Sequence, residues 1–356
     1  MPEYPGDLIT RPAAGAAALV CLTLLDAAHV AGQRLTDPGD AEALHDFRVA
    51  VRRLRSVLRS FRSELDDAVP RKLRNRLRDL TRATAPARDA EVLIASVKAL
   101  EAKLARGQRA GVAWLLARYA DRRDRGYDQI RHELAPEFQQ LERRLRKALW
   151  AAGRRPAGSA SGVPTFGAVA ANLLSEHAAL LEQELATLQS PDDESTAHGI
   201  RITAKRLRYL LEPLVGAEPR ATAVLAHVKE IQTLLGDLHD LQVLAAQLAD
   251  AVGDAAAERA RRLHNLTLSG APRRPPATRE RPRAATTGML ALARLVRKGQ
   301  DELFRRFAAD WQSGSRAELW SGVANVAAAL ASRPTPLPDR RRRPRPRPRA
   351  ARRAVT

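Results

Sequence analysis

Apolar residues along this chain recur every three or four positions, and no stretch alternates apolar with polar in the manner of a strand. The periodicity predicts helices near 12–35, 41–64, 70–85, 88–106 and 108–150, separated by Pro, Gly or capping residues. Helical patterns resume near 166–189, 195–215, 219–236, 238–251 and 254–267, and two more follow near 287–312 and 315–332. Thr10 is the expected N-cap of the first helix, with Pro12 in its first turn. Gly153–Gly167 is rich in Gly, Pro and Ser and reads as a linker. Residues 269–286 mix Pro with charge and are expected to be flexible, and 333–356 has nothing to bury. The fold class is all-α.

The chain also repeats itself. Leu44–Arg55 recurs as Ala197–Arg208 at an offset of 153 residues, and Ala87–Leu93 as Leu238–Leu244 at an offset of 151. A weaker match pairs Gly111–Leu134 with Gly288–Trp311 at an offset of 177. Three matches in one order predict two similar helical-bundle halves related by a pseudo-twofold axis. The first would span 1–152 and the second 166–332, joined by a linker at 153–165 and followed by a disordered tail at 333–356.

Projected at about 100° per residue, the repeated helix separates its chemistry cleanly. His45, Arg48, Arg52, Arg55, Arg59 and Arg62 fall on one arc, beside an apolar stripe that includes Phe47, Leu54 and Leu58. Arg53 stands on the other flank. The second copy has the same phase: His198, Arg201, Lys205 and Arg208 form the stripe, and Arg206 stands off like Arg53. Like charges three or four residues apart repel one another, and no acid alternates with them. A multivalent anion along the helix would relieve that repulsion, with guanidinium forks holding phosphate oxygens in pairs. His45 and His198 would then bind as imidazolium donors. Arg71, Arg74, Arg78 and Arg82 make another basic column, with Lys229 and His227 at comparable places in the second half.

Charge sharpens this picture. The chain holds 60 Lys+Arg against 40 Asp+Glu, a net +20, of which the ten Arg and one Asp of 333–356 supply +9. The remaining +11 belongs to residues 1–332, where position rather than amount is informative. Aromatic residues make up only 4%, too few for a stacking platform of the kind that binds single-stranded nucleic acid. The single cysteine, Cys21, excludes an internal disulfide framework and fits a reducing compartment. The longest apolar run, Ala13–Leu25, is shorter than the roughly 20 residues of a membrane span. A cytoplasmic protein without a membrane partner is expected.

At His45–Arg55, at its copy His198–Arg208, and at Leu235-Gly236-Asp237-Leu238-His239-Asp240, the sequence resembles the CHAD family, the conserved histidine α-helical domain. The likeness covers most of residues 10–312. It implies a helical bundle of two similar halves whose basic residues line a central groove, non-catalytic binding of inorganic polyphosphate, and association with polyphosphate granules. Carried over by position, the binding set is His45, Arg48, Arg52, Arg53, Arg55, His198, Arg201, Lys205, Arg206, Arg208 and His239. Arg88 stands where the second half has His239, and Arg59, Arg78 and Lys229 extend the same region. No catalytic residue, metal or cofactor is expected, since no P-loop, His-x-x-x-His or carboxylate cluster accompanies these residues.

Two other readings stay open. The Arg-Pro tail would suit non-specific nucleic-acid contact, which makes a nucleic-acid-binding or chromatin-associated protein the first alternative. An accessory to phosphate-chain hydrolysis is the second. Its signature would be an alternating Glu-x-Glu-x-Lys strand, but Glu182 and Glu184 sit in a helical pattern. The sequence is silent on oligomeric state.

Overall fold

A computed structural model of the chain describes residues 3–37, 39–40, 42–154, 163–268, 277–312 and 316–333. Twelve α-helices are present among them: α1 (Ala13–Arg34), α2 (Ala43–Ser60), α3 (Arg62–Leu65), α4 (Arg71–Ala83), α5 (Ala85–Glu101) and α6 (Arg109–Gln129) come first. They are followed by α7 (Ala135–Arg154), α8 (Phe166–Thr187), α9 (Glu194–Leu211), α10 (Ala221–Leu268), α11 (Ala277–Phe307) and α12 (Arg316–Ala331). The described residues form no strand, only an isolated bridge between Pro12 and Thr165.

The first core gathers apolar faces from α1, α2, α4, α7, α8, α9, α12 and the N-terminal part of α10. A smaller second core joins α5 and α6 to α11 and the later part of α10. Both cores therefore draw on residues before and after the 153–165 segment. The starts of α1 and α8 lie side by side, since Ala13 donates its N–H to Pro164 and Phe166 donates to Arg11, at 3.0 and 2.9 Å. Phe61, at the end of α2, stacks on Phe166 with ring centroids 4.6 Å apart.

Local caps explain where the basic helices begin. The Asp40 carboxylate accepts from the N–H groups of Glu42 and Ala43 at 3.1 and 3.0 Å, and so opens α2. Asp193 caps α9 by accepting from the N–H of Thr196 at 3.0 Å. Thr10 does not cap α1. It closes a 3₁₀ turn, Leu8–Thr10, with its hydroxyl donating to Asp7, and Pro12 stands at the cap position instead.

Two expectations about helix length change. The segments read as three helices between 219 and 267 are one helix, α10, about 72 Å long at 1.5 Å per residue. Gly236 and Gly253 each cost roughly 1 kcal/mol within it, but packing against α9 and α11 on either side outweighs that. Residues 269–276 lie outside the described residues, and α11 already begins at Ala277, inside the segment expected to be flexible. The helix α1 also outlasts its apolar run: it is long and apolar enough to cross a membrane, with a mean hydropathy of 1.7 over its most apolar stretch. Half of that stretch is buried within the protein, against α2, α7 and α8.

The third repeated segment meets its own copy. A Cβ placed on Gly288 would lie 2.1 Å from the Gln108 carbonyl oxygen and 3.2 Å from the Cα of Gly111, the residue that the repeat aligns with it. Both copies end in a π-helical turn, Ile130–Leu134 and Ala308–Gln312. Gly288→Ala should force this crossing apart and lower stability by about 1–3 kcal/mol, read as a drop in the thermal midpoint with helix content retained.

Candidate anion-binding groove

Helices α2, α4 and α9 wall a groove of about 500 Å³. Arg52, Arg55 and Arg59 enter it from α2, spaced three and four residues apart so that they share one face, and Arg62 of α3 continues the row. Arg74 and Arg78 of α4 stand on a second wall, and His198, Lys205 and Arg206 of α9 on the third. Seven arginines, a lysine and a histidine thus line the groove, and no carboxylate does. Ser56, Asn75 and the Tyr209 hydroxyl add neutral hydrogen-bonding groups. Tyr209 Oη accepts from Arg52 Nε at 2.8 Å, which ties the α2 wall to the α9 wall.

Crowding has electrostatic consequences. Burial, then the neighbouring Arg78, Arg82 and Arg59, make the Arg55 guanidinium less easily protonated than usual. Arg206 is shifted the same way by burial and Arg59, and Arg201 by burial and Arg52. The Lys205 ammonium is lowered to about 7 by burial and by Arg201, Arg52 and Arg208, against a weaker opposing pull from Asp240. At the α9–α10 contact the rings of His198 and His239 lie 5.7 Å apart. Burial and the charges of Arg201 and Lys205 lower both, His239 to about 4. At neutral pH both imidazoles are therefore uncharged, and a bound anion would be needed to make His198 the imidazolium donor that the sequence suggested. The charge is partly offset at one wall, where Arg62 and Arg74 pair with Asp66 and Arg78 with Asp79, while no carboxylate lines the groove itself.

The CHAD domain model matches residues 23–249, which include α2, α9 and both copies of the histidine motif. The chain belongs to the CHAD domain family. Its fold is similar to the crystal structure of the CHAD domain from the plant Ricinus communis, with a TM-score of 0.58 at 20% identity, covering 88% of this chain and 92% of that one. It is also similar to PptA from Streptomyces chartreusis, with a TM-score of 0.51 at 19% identity, covering 88% of this chain and all of that one. No curated protein matches significantly.

Within this CHAD domain, several residues of the expected set are engaged elsewhere. Arg53 pairs with Glu212 at 2.9 Å, and Arg208 reaches the same carboxylate at 2.7 Å. Glu212 is only 7% exposed, so this is a buried bridge between α2 and the end of α9. Arg48 donates to the Thr81 carbonyl and the Thr84 hydroxyl at 3.0 and 2.8 Å, which fastens α2 to the α4–α5 junction. Arg88 pairs with Glu91 at 2.9 Å, and its charge, after burial, lowers the half-buried His45. Arg201 is half-buried, and its Nε finds no hydrogen-bond partner among the described residues. Lys229 is exposed on α10 and is not part of the lining. His45, Arg48, Arg53, Arg88, Arg201, Arg208, Lys229 and His239 thus lie outside the groove lining, although Arg201 and Arg208 act on Lys205 from beside it and the His239 ring lies against that of His198.

Other residues enter that the sequence-derived set omits. Arg62 and Arg74 were visible in the basic columns, whereas Tyr209 carried no signal beyond its place after Arg208. His177 of α8 is half-buried, and after burial the charge of Arg206 lowers it, which places it electrostatically at the edge of the groove. Removing the buried bridge is costly. Glu212→Gln should lower stability by about 3 kcal/mol, because it leaves Arg53 and Arg208 without their common anion. Chemical denaturation of the variant checks this.

Proposed function

We propose that the protein binds inorganic polyphosphate in the α2–α4–α9 groove and does not transform it. The single observation that carries this reading is the lining: nine basic side chains on four helices, α2, α3, α4 and α9, with no carboxylate in the lining. Such a site suits a flexible chain of phosphates, which presents many charges and no bases to stack. The polyphosphate association that goes with the CHAD resemblance supports the same choice. Glu182 and Glu184 lie on α8 rather than on a strand, so the Glu-x-Glu-x-Lys arrangement of a phosphate-chain hydrolase is not formed by them.

Affinity would come from counterion release and paired guanidinium–phosphate hydrogen bonds, and would fall steeply with salt. In this reading the protein works in the cytoplasm at polyphosphate granules. Of the 333–356 tail only Arg333 is described; it donates to the Ala217 carbonyl at 3.0 Å. Incubation with long-chain polyphosphate and Mg²⁺, followed by a denaturing gel, tests the non-catalytic half of the proposal. The polymer should be retarded on a native gel yet keep its length, and progressive shortening would overturn it.

A further inference from the structure

All seven lysines of the chain lie among the described residues, and six of them are exposed. Lys205 is the exception. It is half-buried and lines the groove together with Arg206 of its own helix and Arg52 of α2. The charged and titratable groups around it come from three elements: His198, Arg201 and Arg208 on α9, Arg52 on α2, and His239 and Asp240 on α10. Only Asp240 among them is acidic, and its own carboxyl is raised by burial. From α8, Glu184 acts on Arg206, and Arg206 in turn acts on His177.

Two properties meet at this position. The ammonium is disfavoured, so with Lys205 lowered to about 7 roughly half of it is free amine at neutral pH. An ordinary lysine holds roughly one part in a thousand or less. Around that amine stand guanidinium groups suited to hold a phosphate dianion. An uncharged nucleophile beside a phosphate receptor fits one class of reagent, a mixed anhydride of a carboxylic acid and phosphoric acid.

We propose that Lys205 is an acylation site, modified without a separate enzyme by small acyl phosphates whose phosphate is held by the groove arginines. The Nζ lone pair attacks the carbonyl carbon and forms the C–N bond. The C–O bond to phosphate breaks, inorganic phosphate leaves with its electron pair, and the surplus Nζ proton passes to solvent. No oxidant or reductant is needed. The amide product removes one positive charge from the groove and with it some affinity for phosphate chains. The proposal goes beyond polyphosphate binding and rests on the cationic lining, whichever polyanion occupies it.

The test uses the full chain, acetyl phosphate as the probe, and mass spectrometry to follow each lysine. At pH 7 Lys205 should react at least roughly tenfold faster than any of the six exposed lysines, as expected for an amine activated by a lowered pKa and neighbouring cations. Its rate should level off above about pH 8, while theirs keep rising towards the ordinary lysine pKa. With p-nitrophenyl acetate, which carries no phosphate, the lead of Lys205 should shrink several-fold. Reaction of Lys205 at the rate of the exposed lysines would overturn the proposal, and an undiminished lead with the ester would overturn its phosphate-recognition step. Long-chain polyphosphate in excess should protect Lys205. Fast acylation that polyphosphate does not slow would support the acylation site and count against the polyphosphate reading.

Discussion

Replacing Arg52, Arg55, Arg59 and Arg206 by Gln is expected to lower affinity for long-chain polyphosphate by about a thousandfold, with helix content unchanged. Each of these residues lines the groove. Each lost charge-assisted contact is worth about 1 kcal/mol or more after solvent competition, so four together amount to roughly 4 kcal/mol. The salt dependence should flatten as well, by roughly three in the slope of log affinity against log salt. A charge-matched control separates the groove from bulk charge: replacing the exposed Lys98, Lys103, Lys147 and Lys298 by Gln removes the same four charges. Affinity within a few-fold of the parent is expected there. Equal losses in the two variants would mean that net charge, not the groove, does the binding.

Affinity for polyphosphate should also fall as pH rises from about 7 to 9. Free Lys205 titrates at about 7, and an adjacent polyanion restores its charge towards the ordinary lysine value. Binding therefore takes up a proton between those two limits, and affinity falls by up to about tenfold per pH unit within them. His239, lowered to about 4, adds a second window below the ordinary imidazole pKa, with His198 shifted in the same direction. Calorimetry at pH 8 in two buffers of different ionisation enthalpy should read an uptake near one proton per site. An uptake of zero would contradict the account. The sign for folding without ligand follows from the same shift: the unfolded chain holds the Lys205 proton more tightly than the folded protein. This lysine's contribution to stability thus rises with pH from about 7 to its unfolded pKa, opposite to an ion-paired lysine.

Much of this architecture was legible in the sequence because a helix writes its buried face as a period. The α2 and α9 stripes could be phased residue by residue, and they supply Arg52, Arg55, Arg59, His198 and Lys205 to the groove, with Arg62 of α3 completing the row from α2; Arg206, which the projection set apart from the stripe, enters the groove as well. Most of the failures come from partners distant in sequence. Arg53 and Arg208 read as phosphate ligands until Glu212 is placed between them, 159 residues from the first and four from the second. Arg48 sits in the same stripe as Arg52, yet Thr81 and Thr84 claim it because α4 ends against α2. Gly236 and Gly253 look like helix stops, but the unbroken α10 is held by two cores at once, and the local signal carries no trace of that. The imidazoles of His45 and His198 were expected to carry charge beside a bound anion, whereas burial and the cations packed beside them oppose it.

The most direct test of the central claim is competition binding of the 1–332 truncation, which lacks the Arg-Pro tail, with long-chain polyphosphate against duplex DNA at equal phosphate concentration and fixed salt. Preferential binding of polyphosphate is expected, because the groove holds a chain of phosphates from three sides and offers bases nothing to stack on. Equal or tighter binding of DNA by the truncated protein would contradict it.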